Sequence, residues 1–213
     1  MTTRQEAQRR PRGSLSRQSI GAAALRVIER DGLDSLTMRR VASELSCGVM
    51  SLYSHVTDAD DLRGVVVGQL IDRMDLRPHG GESWQDATRG MLSTYADLAA
   101  SFPRSFELLA LADADQWPVA PHMERLVDLL VTAGLTEEDA LTALSVIDAY
   151  ASGFLVIAVR NRPTVASAER AAPHRHDQLA RLHHLDSYGT GSEVIIAGLE
   201  QRFEGRRTGR KSR

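Results

Sequence analysis

The segment Val49 to Val56 carries the side chains with most chemistry to offer. Val49, Leu52 and Val56 fall at i, i+3 and i+7, one apolar face of a helix. The opposite face then presents Met50, Ser51, Tyr53, Ser54 and His55. Hydroxyls and an imidazole on a short face of this kind suit hydrogen bonding to base edges and phosphates. Tyr53 has the length to reach a phosphate or to pack on a thymine methyl. Just upstream, Thr37, Arg39 and Arg40 open another short helix, where they would meet a passing phosphate backbone and supply affinity rather than sequence reading. Taken alone, a Tyr-x-His pair on a helix is also ordinary surface chemistry, so the frame around it decides.

Other candidate groups leave alternatives open. Cys47, the single cysteine, lies between the two short helices as either a redox-sensitive thiol or a small buried residue filling a tight turn, and the second reading is favoured. Asp148 interrupts an apolar helix, where an unpaired charge is expensive; it either recognises a polar ligand group or pairs across a dimer interface. Trp117 and His122, beside Pro118 and Pro121, either border a cavity entrance or pack. His174, His176, His183 and His184 with Asp177 and Asp186 lack the i, i+4 pairing on a firm helix that zinc prefers, and read as surface histidines. No nucleophile–base pair, P-loop or dinucleotide fingerprint is present, so the chain does not read as an enzyme and no cofactor is expected.

The elements that position these groups are all helical. Ser16 caps a helix from Arg17 to Asp31 with Ile20, Ala23, Ala24, Val27 and Ile28 as its stripe, ended by Gly32. Thr37 caps a two-turn helix through Val41, Ala42 and Leu45; Ser46-Cys47-Gly48 breaks it, and a second two-turn helix runs to Val56. Thr57 with Asp60 has capping-box spacing for a fourth helix, through Leu62 and Leu70 to about Leu76. Pro78, Gly80 and Gly81 mark a domain boundary. Beyond it come a helix opened by Ser83 and Asp86, stopped near Pro103, and a short one over Phe106–Leu111. Another runs Pro121–Ala133 and is closed by Gly134; the last of this group is a long helix from Thr136 to about Arg162. The long helix is apolar nearly all round and must be covered on every side. Residues 163–173 read as a loop, and leucines and Phe203 near the end give one or two closing helices.

At 213 residues, with 42% hydrophobic and 25% charged side chains, the chain fits two unequal domains. The most apolar stretch, Ala149 to Val159, falls short of the roughly 20 residues that span a bilayer, and with one cysteine and no apolar leader a cytoplasmic protein with no membrane role is expected. Net charge is −2, yet both ends are basic: Arg4, Arg9, Arg10, Arg12 and Arg17 face Glu6 alone, and the last twelve residues are similar. The first arm suits DNA; the second reads as a solvated end.

The strings Leu36-Thr37-Met38-Arg39-Arg40-Val41-Ala42 and Leu52-Tyr53-Ser54-His55-Val56 resemble the DNA-binding signature of TetR-type repressors. Gly81-Glu82-Ser83-Trp84-Gln85, Gly134-Leu135 and Ala140-Leu141-Thr142-Ala143-Leu144-Ser145 resemble the tetracycline-repressor branch. The resemblance implies an all-α homodimer: a basic arm (1–15), a three-helix helix-turn-helix domain (16–76), a larger helical ligand-binding and dimerisation domain (82–204) and a basic tail (205–213). It implies Arg39, Ser51, Tyr53 and His55 at a double-stranded operator, to which the residues themselves add Arg17, Thr37, Arg40, Met50 and Ser54. A small-molecule inducer would lie among Met91, Tyr95, Trp117, Met123, Leu126, Leu144 and Asp148. Ala110 stands where tetracycline binders place a magnesium-holding histidine, and Met91 replaces a polar cavity residue, which speaks against tetracycline–magnesium and for a site without metal. Ala59 replaces a phosphate-binding lysine, a contact left to the arm arginines.

Overall fold

The computed structural model describes residues 15–76, 83–161 and 185–211, which contain helices and no strand. The helices are α1 Arg17–Asp31, α2 Met38–Glu44, α3 Val49–Tyr53, α4 Ala59–Ile71 and α5 Trp84–Ser101. They continue with α6 Phe106–Ala110, α7 Ala120–Thr132, α8 Glu137–Arg160 and α9 Leu185–Lys211. The chain forms two compact units, Met1–Val66 and Val67–Arg213, divided within α4. The Pro78–Gly81 boundary read from the sequence lies outside the described residues, as do 163–173 and the four clustered histidines.

In the first unit, Ile20, Ala23, Ala24, Val27 and Ile28 are fully buried against α2 and a 3-10 turn, Leu33–Ser35, that bridges α1 to α2. Local chemistry sets the ends. Ser16 and Ser19 exchange side-chain-to-backbone bonds of 2.9 and 3.1 Å as a capping box, and Gly32 leaves α1 at φ +92°. Thr37 Oγ1 accepts from the Arg40 N–H at 3.2 Å. A ring of charges ties α1 to α2: Arg26 and Arg30 hold Glu44, both at 3.0 Å, while Arg30 and Arg40 hold Asp31 at 3.1 and 2.6 Å.

Three boundaries differ from expectation. Asp58, not Thr57, caps α4, accepting from the Asp60 and Asp61 N–H groups at 2.9 and 2.8 Å, because its carboxylate is the stronger acceptor. Helix α3 stops at Tyr53, and Val56 packs from beyond it. Helix α4 stops at Ile71 rather than Leu76; Arg73 and Met74 close three-residue turns onto Leu70 and Ile71. Arg73 lays its guanidinium 5.4 Å from the centre of the Phe102 ring.

In the second unit, α8 is central and packs on α5, α6, α7 and α9. It has 24 residues and is long and apolar enough to cross a membrane, more than the eleven-residue stretch suggested. The four helices around it mark it as a core helix instead. Within the single chain they leave Leu141, Val146 and Ile157 40–53% exposed. Helix α9 is one helix through Lys211, so residues 205–211 are helical rather than a loose tail; Arg206 reaches Glu138 at 2.7 Å and Asp139 at 3.1 Å. Trp84 meets Phe203 edge-on at 5.6 Å, and Tyr188 stacks on Tyr150 at 5.2 Å. Gly191 is needed at that seam, since a Cβ there would lie 2.2 Å from the Tyr150 hydroxyl.

Candidate nucleic-acid interface and ligand cleft

The α2–α3 connection is compact because its backbone groups bond one another. Ser46, at φ +53°, occupies the left-handed position that usually falls to glycine. Its N–H bonds Ser43 O at 3.1 Å and the Cys47 N–H bonds Ala42 O at 3.0 Å, the two bonds of a Schellman ending. Cys47 is half-buried rather than the buried filler expected. Gly48 then starts α3, and Leu52 and Val56, at 0% and 1% exposure, anchor it to the first unit.

That anchoring turns the other face outward. Met50 is 79% and Tyr53 46% exposed; Ser51 and Ser54 are also exposed and His55 is half-buried. Ser54 spends its hydroxyl on Ser51 O at 2.8 Å, leaving Ser51 and Tyr53 as the freer donors. Thr37, Arg39 and Arg40 are exposed at the start of α2. Thr37 uses a lone pair as cap and keeps its proton to donate, and Arg40 is held by Asp31. Among the described residues no carboxylate forms an ion pair with Arg39.

Arg17 does something the sequence did not suggest. Its guanidinium grips both oxygens of Asp61, and Nη1 also donates to the His55 carbonyl at 2.8 Å. Asp61 in turn accepts from the Thr57 N–H at 2.9 Å. Arg17 holds the Asp61 carboxyl at about 2, well below its ordinary value. The start of α1, the end of α3 and the first turn of α4 are thus cross-linked at one point.

The second unit holds an internal cavity of about 10 Å³, bordered by Met91, Tyr95, Leu126, Leu144 and Asp148. This is room for one water at most. Beside it, a cleft of about 640 Å³ lies between α7 and α8, bordered by Met123, Leu144 and Asp148 among others. Leu144 and Asp148 are common to both. Trp117 borders neither of these two and is 63% exposed.

His122, read as either bordering a cavity entrance or packing, packs. It is 1% exposed, and its Nε2 lies 2.9 Å from the Tyr95 hydroxyl. Burial, with a smaller contribution from Arg125, lowers His122 to about 4, and burial chiefly raises Tyr95, so a neutral imidazole and a neutral phenol share the bond. The available signal was position: His122, Leu126 and Leu130 repeat at i, i+4 and i+8 on the buried stripe of α7. Burial also raises Asp148, offset by a hydrogen bond from Ser152. Among the described residues no three metal-ligating side chains cluster.

Residues 77–204 match the family described as tetracyclin repressor-like, C-terminal domain. The HTH-type transcriptional repressor DrrR1 of Streptomyces coeruleorubidus is 28% identical, over 90% of this chain and 80% of that protein. The class D tetracycline repressor protein of Escherichia coli is 27% identical, over 88% and 93%. Among solved structures, the TetR family protein ActR of Streptomyces coelicolor in complex with (S)-DNPA superposes with a TM-score of 0.70 at 25% identity, over 88% and 98% of the two chains.

Proposed function

The chain belongs to the tetracycline-repressor-like family of DNA-binding transcriptional repressors, and from that premise we propose that it binds a palindromic operator as a homodimer and leaves it when a small molecule occupies the second unit. It is a regulator and not an enzyme. The observation that carries the DNA assignment is the outward face of α3, where Met50, Ser51 and Tyr53 stand exposed opposite the buried Leu52 and Val56. In this reading Tyr53 and Ser51 contact bases or phosphates, Met50 packs on a thymine methyl, and Thr37 and Arg39 contact the backbone. Ser54, His55 and Arg40 border the interface, while Arg17 sets the pose of α3. Such a regulator works where its operator is, in the cytoplasm.

A dimer must place its two recognition helices roughly 34–36 Å apart to enter successive major grooves. The uncovered apolar residues Val146 and Ile157 on α8 and Val194 on α9 support a pairing face there. A ligand releases DNA only to the extent that it binds the released state better. The 10 Å³ cavity at Met91 and Tyr95 favours a regulator without an inducer, whereas the 640 Å³ cleft, within the usual range for drug-sized ligands, favours the responsive one. The ActR complex is a relative seen with a small molecule, and it tips the reading toward response. The test is an operator-shift titration of wild type against Tyr53→Ala and Ser51→Ala, with cross-linking to count subunits.

A further inference from the structure

We propose that the cleft between α7 and α8 takes an organic cation, an apolar body bearing one ammonium or other onium group, with Asp148 as its counter-ion. This rests on the ligand-responsive reading above and names the class of ligand. The cleft is large enough for a drug-sized molecule, and most of its wall is apolar: Ala120, Met123, Val127, Leu141 and Leu144 form both sides. Every ionisable side chain that borders it is a carboxylate, namely Asp115, Glu124, Asp128, Glu137 and Asp148, and no basic one does.

These five acids are not equivalent. Asp115, Glu124, Asp128 and Glu137 are exposed and well solvated at the rim. Asp148 is half-buried in mid-α8, where the cleft meets the inner cavity, and among the described residues it forms no ion pair. A neutral ligand covering it would strip its water and offer no counter-charge; an anion would add repulsion. An onium group supplies the missing partner, while the apolar walls take the body. The rim acids raise the local concentration of cations and turn anions away. Burial of Asp148 favours its protonated form, a tendency that a bound cation reverses.

The experiment uses three probes of similar shape and different charge: tetraphenylphosphonium, tetraphenylborate and neutral triphenylphosphine oxide. Each is titrated calorimetrically into the full-length wild type and Asp148→Asn, and each is added to the operator-shift assay. The proposal expects tetraphenylphosphonium to bind best and Asp148→Asn to weaken it by about tenfold or more. It also expects the variant to leave triphenylphosphine oxide unchanged and its melting temperature within a few degrees of wild type. Equal binding of the borate or the neutral probe, or full cation affinity in Asp148→Asn, overturns it, as does binding of none of the three. If no probe binds and Leu141→Asp dissociates the dimer, the cleft belongs to a second copy. Cation binding without operator release supports the site and refutes the inducer reading; release by a neutral probe does the opposite.

Discussion

The ion pair between Arg17 and Asp61 decides whether Arg17 is a DNA contact or a brace for the recognition helix. Arg17→Met keeps the stem and removes two bonds to Asp61 and one to the His55 carbonyl. The guanidinium is 43% exposed and the carboxylate 19%, so solvent screening limits the pair to about 0.5–1 kcal/mol. Losing the carbonyl bond adds about 0.5–1.5 kcal/mol, for a total near 1–2 kcal/mol. Asp61→Asn removes the shared part, so a thermal-denaturation cycle with Arg17→Met should return a coupling of about 0.5–1 kcal/mol. The carboxyl is held at about 2 against an ordinary 3.8. Its contribution is therefore complete above pH 4 and disappears as pH falls toward 2, and Asp61→Asn should abolish that part of the acid sensitivity. If Arg17 only braces, neither variant changes the slope of log operator affinity against log salt. A slope reduced by about one in Arg17→Met, with tighter binding in Asp61→Asn, would mean that Arg17 sits on a phosphate and would refute the brace.

Gly191→Ala forces the Tyr150 hydroxyl off the Tyr188 carbonyl, 2.7 Å away, and should lower stability by about 1–3 kcal/mol in calorimetry; an unchanged melting temperature contradicts the close α8–α9 seam. Ser46→Gly relieves a left-handed φ of 53° and should raise stability by about 0.5–1 kcal/mol while operator affinity holds; a loss would show that the serine itself is needed. His122, lowered to about 4, resists protonation when folded but titrates near 6.5 when unfolded. Its stabilising share is complete above pH 6.5 and falls toward pH 4, on the order of 2–3 kcal/mol, and His122→Gln should flatten that part of the melting profile.

What was legible in the sequence was local. Ser16, Thr37, Ser83 and Thr136 all cap helices because a cap needs only its own next three residues, and Gly32 and Gly134 end helices at positive φ. Asp58 displaced Thr57 because two adjacent acceptors competed for the same N–H groups, a contest that spacing cannot settle. The outward face of α3 followed from period alone. Pairings across many residues did not follow: Arg17 with Asp61, Tyr95 with His122 and Tyr150 with Gly191 each depend on how helices cross. The ligand residues were half legible for the same reason. The ligand set read from the sequence held Met91, Tyr95, Leu126 and Leu144, but only packing makes the cavity beside them small and the cleft at Met123 and Asp148 large.

Whether α3 reads the operator with its exposed face is decided by titrating Tyr53→Ala against specific and nonspecific duplexes. Loss of the phenol should cost about tenfold or more on the specific duplex and less on the nonspecific one, with an unchanged melting temperature. Specific binding equal to wild type in Tyr53→Ala and Ser51→Ala alike would contradict it.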